Sequence, residues 1–299
     1  MAQISTIAYY DGHIVNHADA SLPITSSAVL YGMSVYTVAL LSHTPNGLYG
    51  FRLGDHFRRL RESAAMIGMR DADYSDEHLS NALQLLVRAV APTRDMFARI
   101  TIHATADIPG VRTAGIAPKL SIFLYDATAI LPMDGASLKT STFRRTRDDA
   151  IPARAKVNGA YVNSCLAKQD AMDSGCDDAL FLNHDGFVSE LTAANIFLVR
   201  DNTLITPDTA SDILEGITRR TIIDAALRDG ITVCERRVAL TEVYTADEVF
   251  ACGTSTFVAP ITSVDHRCIG DGTIGVQTRW AKEILTTAQR TDNEYTTLL

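Results

Sequence analysis

Residues 179–199 read Ala-Leu-Phe-Leu-Asn-His-Asp-Gly-Phe-Val-Ser-Glu-Leu-Thr-Ala-Ala-Asn-Ile-Phe-Leu-Val. Two apolar runs are joined by Asn-His-Asp-Gly, which is typical of a hairpin turn, and a third apolar run follows Glu190. An acid between an apolar strand and a stretch of small residues is costly to bury unless it is paired. The stretch therefore predicts paired strands around a carboxylate with a specific role, and Glu190 becomes the first candidate site residue.

The rest of the chain mixes strands and helices in the same way. Residues 7–16 predict a hairpin around Asp11-Gly12. Apolar spacing of three and four residues predicts helices at 53–69 and 75–91, and buried strands follow near 96–104 and 119–125. Further strands and helices are predicted at 138–144, 160–173, 203–206, 218–228, 231–235 and 248–252. Short strands that form hairpins beside helices indicate an α+β fold with a mixed sheet rather than a doubly wound parallel one.

A chain of 299 residues is long for one core, and we expect two domains. Residues 126–135, which contain Pro and Gly and show no periodicity, are the expected interdomain loop. They divide a small N-terminal α/β domain, 1–125, from a larger C-terminal domain, 136–299.

Composition excludes several classes of function. A net charge of −8 argues against nucleic acid as a partner, and no apolar run is long enough to span a membrane. The first five residues have neither a basic segment nor an apolar signal core, so we expect a cytoplasmic protein. The five cysteines form no CxxC pair and the histidines have no metal-ligand spacing, so we expect reduced thiols and no metal.

Lys156 is the second candidate site residue. It lies in Lys156-Val-Asn-Gly-Ala-Tyr161-Val-Asn-Ser, just before an apolar helical stretch. This motif resembles the one that follows the catalytic lysine in fold-type IV transaminases, which depend on pyridoxal 5'-phosphate (PLP). These enzymes include branched-chain aminotransferases, D-amino-acid aminotransferases and (R)-amine transaminases. Lys156 would then form the Schiff base and move the proton of the substrate α-carbon, and Tyr161 would bond the phenolate oxygen of PLP.

Other sequence motifs of this family occur along the chain in the order in which the family has them. Ser189-Glu190, followed by small residues and an asparagine, resembles the family segment whose glutamate faces the pyridine nitrogen and keeps it protonated. Leu-Glu-Gly216-Ile217-Thr218-Arg resembles Leu-Pro-Gly-Ile-Thr-Arg, in which the start of a helix receives the phosphate. The resemblance also assigns a second phosphate turn to Thr254 and a phosphate-pairing arginine to Arg52.

The substrate pocket departs from the branched-chain pattern. Branched-chain enzymes carry Tyr-Gly-x-x-Val-Phe-Glu-Gly-Ile-Arg, whereas residues 31–40 read Tyr-Gly-Met-Ser-Val-Tyr-Thr-Val-Ala-Leu, which is more similar to (R)-amine transaminases. Phe97-Ala-Arg99 stands where branched-chain enzymes have Tyr-x-Arg. Pro109-Gly-Val-Arg112 resembles a loop whose arginine can meet a keto-acid carboxylate, although Arg112 could equally be a solvated loop charge. The resemblance therefore assigns substrate contacts to Tyr31, Tyr36, Phe97, Arg99, Arg112 and Ser255.

By resemblance the fold is the two-domain architecture of fold-type IV enzymes, with PLP between the domains and at least a homodimer as the assembly. The expected reaction moves an amino group between a branched-chain-like amino acid, or a primary amine, and a 2-keto acid such as α-ketoglutarate or pyruvate. An (R)-selective amine or D-amino-acid transaminase is the alternative. An aminodeoxychorismate-type lyase shares the fold and the lysine, but the sequence shows no additional basic motif that would bind its substrate. A non-catalytic binding module should have lost the lysine or the phosphate-binding motifs, and this chain retains both.

Overall fold

The computed structural model describes residues 2–105, 112–113 and 115–299. Contacts divide the chain into two compact units, of which the first comprises Met1–Thr128, Ala155–Ala160 and Ala288–Leu299. The second comprises Ala129–Arg154 and Tyr161–Thr287. This division differs from a simple split at 126–135, because the segment that carries Lys156 and the C-terminal residues group with the first unit.

The strands and helices alternate along the chain as expected for a mixed fold. Single 3₁₀ turns occur at His17–Asp19 and Thr209–Ser211. In chain order the elements are β1 (Ile7–Tyr10), β2 (His13–Asn16), α1 (Ser27–Tyr31), β3 (Ser34–Thr44), β4 (Gly47–Phe51), α2 (Leu53–Met66), α3 (Asp76–Val90), β5 (Met96–Ala104), β6 (Pro118–Asp126), β7 (Ala136–Arg144), α4 (Tyr161–Asp173), β8 (Asp178–Leu182), β9 (Val188–Leu191), β10 (Asn195–Arg200), β11 (Thr203–Thr206), α5 (Ile217–Arg228), β12 (Val233–Glu235), α6 (Leu240–Val243), β13 (Glu248–Gly253), β14 (Phe257–Val264), β15 (Arg267–Cys268), α7 (Val276–Arg290) and β16 (Thr296–Leu298).

The first unit is built on an antiparallel sheet with the strand order β16-β4-β3-β5-β6-β1-β2. Its centre is the long β3–β5 pair, in which Ser34 lies opposite His103 and Leu41 opposite Met96. Helix α2 contacts β3 with its apolar face, which includes Phe57 and Leu60. The predicted hairpin at Asp11-Gly12 is confirmed, since β1 and β2 pair on either side of it.

The second unit is built on a mixed sheet with the order β12-β11-β10-β13-β14-β7-β8-β9, and β15 adds to β14. The pairs β11–β12, β14–β7 and β7–β8 are parallel, and the remaining pairs are antiparallel. The predicted mixed sheet is therefore confirmed. Leu180, Leu191, Ile196, Val249 and Ala251 belong to one buried core cluster of this sheet.

Candidate active site

Lys156 is fixed through its backbone to the beginning of β3. The backbone N–H of Tyr36 donates to the Lys156 carbonyl at 3.0 Å, and that of Asn158 donates to the Ser34 carbonyl at 2.8 Å. The Lys156 N–H donates to Oγ of Ser63 on α2 at 3.0 Å. Hydrogen bonds on both sides of the lysine hold its Cα in one place.

Two glycines let this segment approach the sheet closely. Gly32 has φ +66°, and a Cβ on it would lie 2.8 Å from Cα of Gly159. Real Cβ atoms do not approach other atoms so closely, so the two backbones are in contact here because neither residue has a side chain.

The side chain of Lys156 lies beside an aromatic ring and a second cation. Its Nζ is 4.9 Å from the centroid of the buried Tyr36 ring, and Cζ of Arg99 is 3.7 Å from the same centroid. Arg99 also donates to Oδ1 of Asn158 at 3.4 Å. Attraction to the face of one ring positions both cations within a small volume.

Arg52, the N-cap of α2, and Arg59, in the middle of that helix, differ in their surroundings. Nε of Arg52, the residue predicted to pair with phosphate, bonds Asp55 at 2.5 Å, and its guanidinium stacks 4.8 Å from the Tyr295 ring. Arg59 instead donates to Oγ1 of Thr37 at 3.2 Å. The Arg59 carbonyl accepts from Ser63, the residue that also bonds the backbone of Lys156.

Glu190 is buried in the second unit, with only 5% of its surface exposed. Its Oε1 accepts from Nε and Nη2 of Arg145 at 3.0 and 2.9 Å. Its Oε2 accepts from Nδ2 of Asn195 at 3.0 Å and from the backbone N–H of Leu214 at 3.1 Å. The sequence predicted a buried carboxylate that needs partners, and these are the partners.

Asn195 connects Glu190 to the start of α5. Its Nδ2 also donates to the Leu214 carbonyl at 2.8 Å, and its Oδ1 lies so close to Gly216 that no Cβ could fit there. Gly216 is the N-cap of α5, whose first backbone N–H groups have no acceptor within the helix. Because Asn195 contacts both, the carboxylate and the helix start are held in one arrangement.

The remaining predicted cofactor residues of the second unit lie close to these elements in sequence. Ile217 and Thr218 are buried in the first turn of α5, and Tyr161 is half-buried at the first position of α4. Thr254 lies in the turn between β13 and β14. In that turn Oγ1 of Thr256 is buried without a hydrogen-bond partner in the described part of the chain.

The predicted substrate residues lie in differing environments. Tyr31, at the end of α1, is 42% exposed. Phe97 is fully buried and packs 5.4 Å from the Tyr125 ring, so it belongs to the core of the first unit. Ser255 is half-buried in the β13–β14 turn, where its carbonyl accepts from the backbone N–H of Ile130.

Arg112 is exposed, and residues 109–111 of the predicted Pro-Gly loop lie outside the described residues.

Three further site candidates were not predicted from the sequence, namely Arg145, Asn195 and Arg59. A signal existed for Asn195, because it is the asparagine of the family segment that contains Glu190. Arg145 follows a strand within a run of basic residues, which does not distinguish it from a surface charge.

Over residues 2–105, 112–113 and 115–299 there is no group of His, Cys, Asp or Glu side chains arranged to hold a metal ion. Within those same ranges no helix is both long and apolar enough to cross a membrane.

Comparison with known proteins gives consistent results. Residues 34–264 match the family model for amino-transferase class IV. A probable branched-chain-amino-acid aminotransferase of Aquifex aeolicus is 34% identical over 95% of this chain and 92% of its own length. The branched-chain aminotransferase of Thermoproteus uzoniensis, solved with norvaline, superposes with a TM-score of 0.93 at 31% identity, covering 98% of this chain and 99% of that one.

A second solved structure is the branched-chain amino acid aminotransferase of Thermobaculum terrenum in its PLP-bound holo form. It has a TM-score of 0.87 at 32% identity and covers 94% of this chain and 92% of that one. The family model spans most of the sequence, and relatives above 30% identity match nearly all of it. The chain therefore belongs to the class IV aminotransferase family.

Proposed function

We propose that this aminotransferase uses PLP to move an amino group between branched-chain amino acids and a 2-keto acid such as α-ketoglutarate. The observation that carries the proposal is Asn195, which bonds the buried Glu190 and also contacts the N-terminus of α5. A pyridine nitrogen and a phosphate need these two groups, a carboxylate and a helix start. The names of the relatives support the substrate class.

The residues present fit PLP by their donor chemistry. Glu190 offers a buried carboxylate, α5 offers backbone N–H groups without intrahelical acceptors, and Lys156 offers an amine. The buried hydroxyl of Thr256 also lacks a protein partner among the described residues, so the β13–β14 turn has an unused donor beside Thr254. When bound, PLP supplies an electron sink for the carbon that loses its proton.

Lys156 would hold the cofactor covalently at rest, and its amine, once displaced by the amine of the substrate, would serve as the base that takes the α-proton. Its fixed backbone and the contact of Nζ with Tyr36 orient the amine for this transfer. Tyr161 would donate its hydroxyl to the phenolate oxygen of the cofactor. Glu190 would face the pyridine nitrogen and favour its protonated form.

The phosphate would be held by the N–H groups of Ile217 and Thr218 and by Thr254. We assign the pairing arginine to Arg59 rather than Arg52. This assignment is supported by the engagement of Arg52 with Asp55 and Tyr295, and by the link from Arg59 through Ser63 to Lys156.

Arg99 is the proposed partner of the substrate carboxylate. It lies against the same Tyr36 ring as Nζ of Lys156, and a guanidinium suits a carboxylate through paired hydrogen bonds. Arg112 remains the second candidate for this role.

A second donor class, (R)-amines, is favoured by the surroundings of Thr37. This residue stands where the branched-chain pattern has glutamate, and its hydroxyl is occupied by His56 at 2.7 Å and Arg59 at 3.2 Å. The position therefore contributes no negative charge to the pocket, which suits apolar amines. We expect activity with (R)-1-phenylethylamine that is lower than activity with leucine-like amino acids.

A homodimer is the proposed assembly. It is supported by four exposed apolar side chains in and before α1, namely Ile24, Val29, Leu30 and Tyr31. Light scattering coupled to size-exclusion chromatography measures the mass directly. A monomer at micromolar concentration would contradict this part of the proposal.

The main test combines a cofactor measurement with a donor screen. Purified protein loaded with PLP should absorb at ~410 nm and lose that band when leucine is added, because the amino group is transferred to the cofactor. L- and D-amino acids, with (R)- and (S)-1-phenylethylamine, identify the preferred donor. Lys156→Ala should abolish turnover, whereas Lys119→Ala, an exposed lysine of the same unit, should not. PLP trapped by borohydride at Lys168 instead of Lys156 would contradict the assignment.

A further inference from the structure

Glu190 is surrounded by four hydrogen-bond donors of its own unit. Both nitrogens from Arg145 reach Oε1, while the amide of Asn195 and the backbone N–H of Leu214 reach Oε2. The two contacts on Oε2 come from neutral groups. The guanidinium of Arg145 therefore differs from these donors in bringing a full positive charge to the carboxylate.

This ion pair is withdrawn from solvent. The side chains of Arg145 and Glu190 are 13% and 7% exposed. Arg145 is also held in place, because its backbone N–H donates to the Leu182 carbonyl at 2.9 Å and its guanidinium lies 6.0 Å from the Phe181 ring. Water screens such a pair little, so the charge of Arg145 acts strongly on Glu190.

A carboxylate next to a pyridine nitrogen can share one proton in two ways. Either the carboxylate is ionised and the nitrogen is protonated, or both groups are neutral. A cation within ion-pair distance stabilises the ionised carboxylate, whereas burial without a cation favours the neutral acid. The charge of the groups bonded to Glu190 therefore decides where the proton resides.

We propose that Arg145 is a positioning residue that holds Glu190 ionised and thereby keeps the proton on the pyridine nitrogen of the cofactor. The inference rests on the proposed function. Without the guanidinium, the proton would move from the ring nitrogen to a carboxylate oxygen of Glu190, and both groups would become neutral. The ring would then be a weaker electron sink, although Asn195 and Leu214 would still hold the acid.

The experiment loads the enzyme with PLP labelled with ¹⁵N in the ring and records its ¹⁵N resonance. Wild type should show a protonated nitrogen. Arg145→Met, which removes the charge but keeps much of the volume, should shift the resonance to the neutral form and slow transamination on the order of a hundredfold. Arg145→Lys should restore the protonated resonance and part of the rate, a rescue that loss of packing alone would not predict.

Arg147→Met is the matched control, because Arg147 is an exposed arginine of the same segment that pairs with Asp149. It should leave both the resonance and the rate unchanged. If Arg145→Met does not fold, Arg145→Gln replaces it, and infrared spectra of the apoprotein should then show a protonated carboxyl band that Glu190→Gln removes.

The outcomes separate the two proposals. Failure of wild type to take up PLP would overturn the proposed function. A wild-type protein that binds PLP, together with an Arg145→Met or Arg145→Gln variant whose ring nitrogen stays protonated, would overturn only the role of Arg145.

Discussion

Tyr36 holds Lys156 at two points. Its backbone N–H donates to the Lys156 carbonyl at 3.0 Å, and its ring centroid lies 4.9 Å from the lysine Nζ. The first contact fixes the backbone of Lys156, and the second fixes the position of its Nζ. A base that transfers a proton needs such a defined position.

We expect Tyr36→Phe to retain most activity, because a phenyl ring keeps the cation–π contact. Tyr36→Leu should lower the rate by about tenfold, since this contact is worth about 0.5–2 kcal/mol. Single-turnover kinetics with leucine compares the two variants. Equal rates for Phe and Leu would show that the ring does not orient Lys156.

Glu190→Gln should reduce transamination by about 10²–10³-fold while PLP remains bound, because the proposed phosphate contacts are untouched. Ultrafiltration measures cofactor retention, and stopped-flow absorbance measures the single-turnover rate. An unchanged rate would mean that another acid faces the pyridine nitrogen.

Gly216→Ala should weaken PLP binding, because the new Cβ would displace Oδ1 of Asn195 and with it the contact to Glu190. Forcing a methyl group into a packed site costs about 1–3 kcal/mol. Gly54→Ala is the control, since a Cβ on this helical glycine meets nothing within 4 Å. PLP titration of the apoproteins should separate the two, and equal affinities would remove Gly216 from the phosphate site.

Arg99→Met should lower the use of α-ketoglutarate by about tenfold to a hundredfold, the effect of losing a charged hydrogen bond. The half-reaction with (R)-1-phenylethylamine, which has no carboxylate, should change less. Arg112→Ala is the comparison variant. If it impairs keto-acid use more than Arg99→Met does, the carboxylate partner is Arg112.

Acid should destabilise the protein through His103. Burial, and then the neighbouring Arg99 guanidinium, lower the pKa of His103 from 6.5 to about 4. Between these values the unfolded state binds the proton and the folded state does not, so the free energy of unfolding falls as pH drops through this window. The full difference is about 3 kcal/mol, at about 1.4 kcal/mol per pH unit.

His103→Gln should flatten this dependence, because glutamine can still bond Ser34 and Ser121 but does not titrate. Urea unfolding of both proteins at pH 7, 5 and 4 measures the effect. Parallel curves for the two proteins would show that His103 does not cause the acid sensitivity.

Local periodicity predicted α2, α3, α4, α5 and most strands of the second unit to within a few residues. It did not indicate β3, because residues 34–41 are buried throughout and show no alternation that separates a strand from a buried helix. The burial of Glu190 could be predicted from its apolar neighbours. Its pairing with Arg145 could not, because the two lie 45 residues apart and meet only through the sheet. The sequence selected Arg52 for the phosphate, whereas the proposal of Arg59 rests on long-range contacts, such as its hydrogen bond to Thr37, that the sequence does not show.

Because the chain passes between the two units several times, few positions are suitable for dividing the protein into fragments. The chain enters the second unit at Ala129, returns to the first for Ala155–Ala160, re-enters the second at Tyr161 and comes back at Ala288. A cut in the 129–135 connection would leave the N-terminal fragment without Lys156 and without β16. Because no single cut frees either unit intact, expression of isolated halves should fail for this enzyme, and truncation experiments would report broken sheets rather than separable functions.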